Sequence, residues 1–479
     1  MNPRIKLKKG YTFDDVLIEP KRSSIISRKD VNVSSYLSRH IKLNIPIVAA
    51  NMDTVTEATM AITMARLGAM GIIHRFMSIE EEAEQVRRVK RAESFIVNNP
   101  CALEQHHTLK EAKAVMKEYG ITSVMVVDKQ GKLMGILTFR DIRFEENLEE
   151  PISELMTPKE KLITASPNIT LQEAKEIFRK HKVEKLPLVD SEGFLKGLIT
   201  AKDILKTSQY PSAMKDKQGR LLAGAAVGAT GDYKERAQAL VEAGVDVLVI
   251  DIAHGHLDLC IEAVQTLKKT VQDKVDIIAG NVATKEGTRD LIEAGADAVK
   301  VGVGPGAACD TRQVAGAGVP QLSAIWECAE VARERNVPII ADGGIKDSGD
   351  IVKALAAGAS SVMIGRLFAG TDESPGQSII RKGRRYKLYR GMASLTAASD
   401  RSIREGSLRT ENLISIVPEG VETEIPYQGS VVDILFQLEG GLRSGMSYCG
   451  AKTIPELQEN ITFILITDAG RRESLPHEI

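Results

Sequence analysis

The sequence predicts an α/β fold: a closed (β/α)8 barrel (a TIM barrel) of parallel strands, interrupted by an inserted pair of repeats. Short apolar runs alternate with helical patterns through most of the chain, which is typical of parallel βα units. Eight such runs can be counted, and polar or glycine-rich residues follow most of them, as at the functional end of a barrel. A doubly wound open sheet is the alternative arrangement.

The eight predicted strands are short and rich in Val, Ile and Ala. They are Ile45–Asn51, Gly71–His74, Leu222–Val227, Val245–Ile250, Asp276–Val282, Ala298–Val303, Pro338–Ala341 and Ser361–Ile364. Because helical patterns separate them, consecutive strands are expected to lie side by side and parallel.

Between the second and third strands the alternation stops, and one pattern occurs twice with a constant offset. Thr108 of the first copy matches Thr170 of the second. Each copy predicts helix, strand, turn, strand and helix, and two copies would bury their apolar faces on each other. The predicted domains are the barrel, residues 1–92 and 209–479, and the insertion, residues 93–208, with repeats 93–150 and 151–208.

The composition excludes several classes of function. The 63 basic and 64 acidic residues balance, so no broad basic surface for nucleic acid is expected. Five widely spaced cysteines argue against a disulfide framework and fit a reducing compartment. The basic N-terminus is not followed by an apolar segment, and no apolar run is long enough to span a bilayer. We therefore expect a cytoplasmic protein that binds neither nucleic acid nor membrane.

The strongest chemical signal is the segment KVGVGPGAACDTR, residues 300–312. Its glycines permit positive φ angles and a close approach of the backbone to a ligand. Cys309 lies at its tip near Arg312, and a nearby cation favours the thiolate that acts as a nucleophile. The alternative is that Cys309 is a small buried hydrophobic residue.

The ends of the last two predicted strands suit a phosphorylated ribose. Backbone N–H groups of Gly343, Gly344 and Gly365 would bind the phosphate, as loops after the seventh and eighth strands of barrels commonly do. Asp342 would accept hydrogen bonds from the ribose hydroxyls, which would direct the base toward Cys309. These residues predict a nucleotide-modifying barrel with a thiol nucleophile.

Residues 392–422 show no apolar period and contain several arginines, including Arg401 and Arg404. A long irregular segment inside a compact domain is more often functional than idle, so we expect a mobile flap over the barrel mouth. A disordered surface loop is the alternative.

The chain resembles the inosine-5′-monophosphate (IMP) dehydrogenase and guanosine monophosphate (GMP) reductase family, and within it the IMP dehydrogenases that carry two cystathionine-β-synthase-type (CBS) repeats. The motifs that carry the resemblance are YTFDDVLIEP, NMDTVTEA, GNVAT, KVGVGPG, GVPQ, ADGGI, SGDI, YRGMAS, VPEGVE, GGLRSG and YCGAKTI. They extend over nearly the whole chain.

The resemblance implies that Cys309 attacks C2 of the purine, that hydride passes to NAD⁺, and that water hydrolyses the thioimidate to xanthosine monophosphate (XMP). The Thr311–Glu419 pair, or a flap arginine (Arg401 or Arg404), would activate the water. The implied binding residues are, for the nucleotide, Asp342, Gly343, Gly344, Gly365, Arg366, Tyr389, Gly391, Met392 and Gln437; for NAD, Asp251, Asn281, Gly302 and Gly304; and for K⁺, Gly304, Gly306 and Cys309, with Glu473 and Ser474 of a neighbouring subunit.

The resemblance also implies regulation and assembly. Thr138, Asp141, Thr200 and Asp203 would hold an adenine or guanine nucleotide in the CBS pair. The alternative is that these residues only cap the helices that follow them. The family forms homotetramers, and its CBS repeats can pair two tetramers into an octamer.

Two departures from the family pattern keep other functions open. Ser402 stands where the family places a tyrosine after the flap arginine, and Ala307 and Arg366 replace two phosphate-contacting serines. The guanidinium of Arg366 would bind phosphate directly.

GMP reductase, which removes the purine 2-amino group with NADPH, is the first alternative because AANMDTV is closer to the reductase pattern. Against it, Arg75 and Leu395 replace the reductase lysine and glutamate. A catalytically inactive nucleotide-binding regulator is the second alternative. The reductase is less favoured than the dehydrogenase because VPEGVE, Gln437 and GGLRSGMSYCGAKT resemble the dehydrogenase pattern. The regulator is less favoured because Cys309, Thr311, Glu419 and Asp342 are retained.

Overall fold

The computed structural model describes residues 7–93, 95–98, 100–207, 209–404, 417–459 and 461–475, without the side chains of 206, 207, 398 and 401–404. The predicted roles of Arg401 and Arg404 therefore fall on side chains outside the described residues. The chain divides into a larger unit, residues 1–92, 212–214 and 221–479, and a smaller unit, residues 93–211 and 215–220.

The larger unit is built on a closed barrel of eight parallel strands, which confirms the predicted fold class. The strands are β1 (Ile47–Ala49), β2 (Met70–Ile73), β3 (Gly224–Val227), β4 (Val247–Asp251), β5 (Asp276–Val282), β6 (Ala298–Val301), β7 (Ile339–Asp342) and β8 (Ser361–Ile364). Val362 of β8 pairs with Ile47 of β1, so the sheet has no edge and the doubly wound alternative is wrong.

Each barrel strand is followed by a helix that covers the outside of the sheet. These helices are α1 (Ala58–Leu67), α2 (Ile79–Ala92), α3 (Tyr233–Glu242), α4 (Asp258–Val271), α5 (Lys285–Glu293), α6 (Gln321–Glu334), α7 (Ser348–Ala356) and α8 (Val431–Tyr448). The strands are buried on both faces, which explains why they read as continuous apolar runs rather than alternating ones.

The larger unit contains further elements besides the barrel strands and their eight covering helices. They are the short helices Phe13–Asp15, Arg28–Asp30, Gln272–Lys274, Thr311–Val314, Arg366–Ala369, Leu395–Arg404, Ile454–Glu459 and Asp468–Glu473, the antiparallel pairs Val16–Ile18 with Phe463–Leu465 and Ser35–Tyr36 with Lys42–Leu43, and the sheet Ser378–Arg381, Arg384–Arg390 and Glu422–Pro426. The segment expected to be an irregular flap thus begins with a helix and ends at a strand. No described helix is long and apolar enough to cross a membrane.

The smaller unit contains the two copies of the repeat. Its elements are the strands Val97–Asn98, Ala102–Glu104, Ser123–Val127, Leu133–Thr138, Thr157–Pro158, Lys185–Val189 and Leu195–Thr200, and the helices Leu109–Glu118, Ile152–Leu155, Lys159–Lys161, Leu171–His181 and Ala201–Thr207. The first copy has turns at residues 139–144 where the second has a helix.

The two copies use equivalent residues at the start of their first helices, and other equivalent residues in the hairpins through which the copies contact each other. Thr108 and Thr170 each form a capping box with the glutamate three residues later. The N–H of Leu133 donates to the carbonyl of Gly193 at 3.0 Å, and the N–H of Leu195 donates to the carbonyl of Gly131 at 3.2 Å. The copies therefore contact each other through matching hairpins.

Candidate active site

A cavity of about 1270 Å³ lies at the C-terminal ends of the barrel strands. It brings together most of the residues that the sequence nominated from widely separated positions. They are Asp251, Asn281, Gly302, Gly304, Gly306, Cys309, Thr311, Asp342, Gly343, Gly344, Gly365, Arg366, Tyr389, Gly391, Met392 and Glu419. Its size is sufficient for two small ligands side by side.

The prediction that Gln437 contacts the nucleotide needs correction, because Gln437 does not line the cavity. Leu435 and Leu438 of α8 are buried, and this turns Gln437 to the exposed face of the helix. Gln428, in the turn before α8, lines the cavity instead. Its position before a helix N-terminus, in the sequence PYQGS, was the available signal.

The other predicted residues lie elsewhere. Glu473 and Ser474 lie at the exposed end of the helix Asp468–Glu473, and they do not line this cavity. Thr138, Asp141, Thr200 and Asp203 belong to the smaller unit.

Cys309 is exposed at the tip of the loop after β6 and begins a short relay of hydrogen bonds. Its Sγ donates to Thr311 Oγ1 at 3.2 Å, and that hydroxyl donates to Glu419 Oε2 at 2.8 Å. Cys260 and Cys328 are buried, and burial raises their pKa values to about 11 and about 12. Cys309 is therefore the solvent-accessible one of these three thiols.

Backbone pairing fixes the relay. The segment around Glu419 runs antiparallel to the cysteine loop: the N–H of Asp310 donates to the carbonyl of Glu419 at 2.7 Å, and the N–H of Val421 donates to the carbonyl of Ala308 at 3.1 Å. Glu419 is thus brought from a distant part of the sequence to the side of Thr311. The pair can accept a proton from a water molecule placed beside the thiol.

A buried lysine lines the cavity and was not nominated from the sequence. Lys300 Nζ donates to Asp251 Oδ1 at 2.8 Å, to Asp342 Oδ2 at 2.7 Å, and to the side-chain oxygen of Asn281. Asn281 in turn donates to Asp342 at 3.0 Å and to the carbonyl of Gly302 at 2.7 Å. The available signal was a lysine in an otherwise apolar barrel strand, because lysines are almost never buried unless they are paired.

The charges in this network stabilise one another. Burial alone would lower the pKa of Lys300, but the carboxylates of Asp251 and Asp342 outweigh it and raise that pKa well above its ordinary value. Burial likewise favours a higher pKa for Asp251, and the charge of Lys300, with a smaller effect of Arg75, brings it below its ordinary value. Lys300 and Asp251 are therefore both ionised at neutral pH.

Glycines allow the loops around the cavity to approach one another. A side chain at Gly302 would overlap the carbonyl oxygen of Asp342, and one at Gly391 would overlap the carbonyl oxygen of Ala308. Tyr389 is buried beside this second contact, and burial, with the charge of Asp342, raises its pKa to about 12. Its hydroxyl therefore stays protonated and can act as a hydrogen-bond donor.

Arg390 fixes the segment that carries Tyr389, Gly391 and Met392. Its guanidinium donates to Asp53 Oδ2 at 2.6 and 2.9 Å and pairs with Asp400 Oδ2 at 2.7 Å. The loop after β1 and the helix Leu395–Arg404 are thus joined through one side chain. These contacts hold part of the cavity wall in place, because both sequence neighbours of Arg390 line the cavity.

An accessible thiol backed by a hydroxyl–carboxylate relay, beside glycine loops and a ribose-type carboxylate, suits covalent attack on a nucleotide. A barrel enzyme of this kind is the class that the fold and the cavity define. The chain belongs to the IMP dehydrogenase / GMP reductase family, because the model of that domain matches residues 10–477.

Named relatives resemble the chain over its whole length. It is 57% identical to the inosine-5′-monophosphate dehydrogenase of Aquifex aeolicus, over 99% of this chain and 96% of that protein. It is 53% identical to the enzyme of the same name from Bacillus subtilis, over 98% and 96%.

Among solved structures, GMP reductase from Trypanosoma brucei in complex with guanosine 5′-monophosphate has a TM-score of 0.88 at 48% identity, covering 99% of this chain and 98% of that chain. The same reductase in complex with guanosine 5′-triphosphate has a TM-score of 0.77 at 44% identity, covering 96% and 98%.

Proposed function

We propose that the protein is an NAD-dependent IMP dehydrogenase that oxidises IMP to XMP in guanine nucleotide biosynthesis. The observation that carries the proposal is the Cys309–Thr311–Glu419 relay in a chain with full-length IMP dehydrogenase relatives. Chromatography of a reaction with IMP and NAD⁺ tests it directly, because XMP is expected as the product. Recovery of unchanged IMP would contradict the proposal.

The nucleotide binds with its phosphate at the loops after β7 and β8 and its base toward Cys309. Asp342 accepts hydrogen bonds from the ribose hydroxyls, and backbone N–H groups at Gly343, Gly344 and Gly365 face the phosphate. Arg366, exposed at the same rim, supplies a positive charge. The remaining proposed contacts are Tyr389, Gly391, Met392 and, in place of Gln437, Gln428.

Cys309 forms the covalent bond to the substrate. Its sulfur adds to C2 of the hypoxanthine ring, and loss of hydride from C2 leaves a thioimidate between Cys309 and the purine. Thr311 and Glu419 then accept a proton from water as the water adds to C2, and the carbon–sulfur bond breaks to release XMP and the free thiol.

NAD⁺, when bound, supplies the acceptor for the hydride. The donor set fits it: ionised Asp251 lines the cavity and can accept hydrogen bonds from a ribose, and Asn281 lies beside it. Gly302 and Gly304 leave the adjoining wall without side chains. The cofactor half of the cavity thus adjoins the nucleotide half at Asp342.

A monovalent cation, K⁺, is proposed at the carbonyls of Gly304, Gly306 and Cys309. Hard cations prefer oxygen ligands, and the positive φ of Gly304 gives this loop a conformation that L-residues rarely adopt. The exposed Glu473 and Ser474 would complete the site from another subunit of a homotetramer. Turnover that is equally fast when K⁺ is replaced by a bulky organic cation would contradict the site.

The smaller unit is proposed to be a CBS pair that binds a purine nucleotide. Thr138 Oγ1 donates to Asp141 at 2.7 Å, and Thr200 Oγ1 donates to Asp203 at 2.5 Å, so both copies present the same pair. The GMP reductase of T. brucei has been solved with guanosine 5′-triphosphate, which supports a guanine nucleotide. Such a ligand would control whether two tetramers form an octamer.

GMP reduction is the second candidate, favoured by the similarity to the T. brucei reductase. Two positions oppose it. Arg75 lines the cavity where the reductase pattern has lysine, and Leu395, at the start of its helix, is exposed and has no acidic group.

The five cysteines are free thiols, which supports a cytoplasmic location.

A further inference from the structure

We propose that Lys300 is a shared positioning residue, through which one ammonium holds the nucleotide-side carboxylate of Asp342 and the cofactor-side carboxylate of Asp251 in their binding orientations. The inference rests on the proposed function, because that function assigns the two carboxylates to two ligands. It adds a buried residue in the cavity wall whose charge acts on both halves of the cavity at once.

Lys300 has no spare N–H donor with which to contact a ligand. A lysine ammonium has three N–H donors, and those of Lys300 are directed to Asp251, Asp342 and Asn281. Its side chain is 3% exposed, so it acts through its partners rather than on the reacting atoms. Lys300 is therefore a positioning residue and not a catalytic one.

The three partners come from three different strands. Asp251 ends β4, Asn281 lies in β5 and Asp342 ends β7, while Lys300 lies in β6 between the last two. Second contacts hold the network: Asn281 donates to the carbonyl of Gly302 and to Asp342 Oδ2, and Asn51 lies close enough to Asp251 to help lower its pKa. The network thus fixes the directions in which both carboxylates face the cavity.

Other charged groups near the pair are few among the described residues. Arg75 lowers the pKa of Asp251 through its charge, and the charges of Asp342 and Arg366 both act on Tyr389. Tyr389 is neutral and Arg366 is exposed at the rim. Loss of Lys300 would therefore leave two carboxylates facing each other with only partial compensation.

The sign of the expected pH effect follows from this. Lys300 lowers the pKa of Asp251, so in Lys300→Met the pKa of Asp251 rises and a higher pH is needed to ionise it. We expect the acidic limb of kcat/KM for NAD⁺ to move to higher pH. At neutral pH kcat/KM for both substrates should fall by roughly tenfold or more and recover partly at alkaline pH.

A matched control exists in the same barrel. Lys90 Nζ donates to Asp246 Oδ2 at 2.6 Å, and the lysine side chain is as well buried as that of Lys300, but the pair lies outside the cavity. Lys90→Met also removes the ammonium that pairs with a partly buried carboxylate. This control variant should have a lower melting temperature, but the acidic limb of its pH profile of kcat/KM for NAD⁺ should not move.

Two further variants separate charge from folding. Lys300→Gln keeps hydrogen-bond donors without the charge and should show the shifted limb even if Lys300→Met does not fold. Lys300→Arg keeps the charge and should restore the limb toward that of the unmodified protein. A folded Lys300→Gln whose acidic limb coincides with that of Lys90→Met would overturn the proposal. Absence of IMP-dependent NAD⁺ reduction in the unmodified protein would instead refute the proposed function.

Discussion

At the scale of single residues, exposure decides which thiol reacts. Cys309 lies open at the cavity, whereas burial raises the pKa of Cys260 and Cys328 far above neutral pH. The proposed chemistry therefore depends on a thiol that the fold exposes to solvent rather than on the number of cysteines.

We expect iodoacetamide to alkylate Cys309 before Cys260 or Cys328 at neutral pH, and activity to fall in proportion to that modification. Peptide mass spectrometry measures the order of labelling. Cys328→Ala should retain turnover and Cys309→Ala should abolish it. Full activity after complete labelling of Cys309 would contradict its role.

The water step is tested at Glu419. In Glu419→Gln the relay from Thr311 ends on a neutral amide, so hydrolysis should slow by roughly 10²-fold while hydride transfer continues. Rapid mixing should show a burst of NADH followed by slow turnover, with the thioimidate trapped on the protein.

Glu422→Gln is the control for that experiment. Glu422 also accepts a hydrogen bond from a threonine, Thr396, but it does not line the cavity. It should leave turnover near that of the unmodified protein. Unchanged turnover in Glu419→Gln would instead assign the water step to Arg401 or Arg404.

At the scale of elements, the loop after β6 depends on close backbone contact. Gly302→Ala places a methyl group against the carbonyl oxygen of Asp342. We expect a loss of at least about 3 kcal/mol in the free energy of unfolding, measured by chemical denaturation, together with loss of activity.

Gly383→Ala is the matched variant. Gly383 also has a positive φ, in the turn of a hairpin, but an added methyl group there meets nothing within 4 Å. It should be destabilised by only about 1 kcal/mol and remain active. Equal destabilisation of the two variants would mean that backbone strain, and not the contact with Asp342, causes the loss in the free energy of unfolding of Gly302→Ala.

The elements of the barrel could be predicted because strands buried on both faces are recognisable as apolar runs between amphipathic helices. The cavity residues at their ends followed from the barrel geometry. Lys300 was missed because its role exists only once Asp251 and Asp342 converge on it. Gln437 was misplaced because its direction depends on which face of α8 packs inward. The helix Leu395–Arg404 is amphipathic, but it was missed because the segment 392–422 was judged as a whole and shows no continuous apolar period.

At the scale of the whole molecule, the smaller unit is expected to sense purine nucleotides. Addition of GTP or ATP should change the sedimentation profile, and Asp203→Ala should abolish the change because it removes the partner of Thr200. Glu173→Gln, which alters the capping box at Thr170, is the control and should retain the response. No response to either nucleotide across a millimolar titration would contradict the sensing role.

The central claim is that the barrel oxidises IMP with NAD⁺ through Cys309. The most direct test follows the absorbance of NADH or NADPH with purified protein and K⁺, in parallel reactions with IMP plus NAD⁺ and with GMP plus NADPH. A sustained rise that depends on IMP and is absent in Cys309→Ala is the predicted result. No rise with IMP, accompanied by a fall in absorbance with GMP plus NADPH, would contradict the account and identify a reductase.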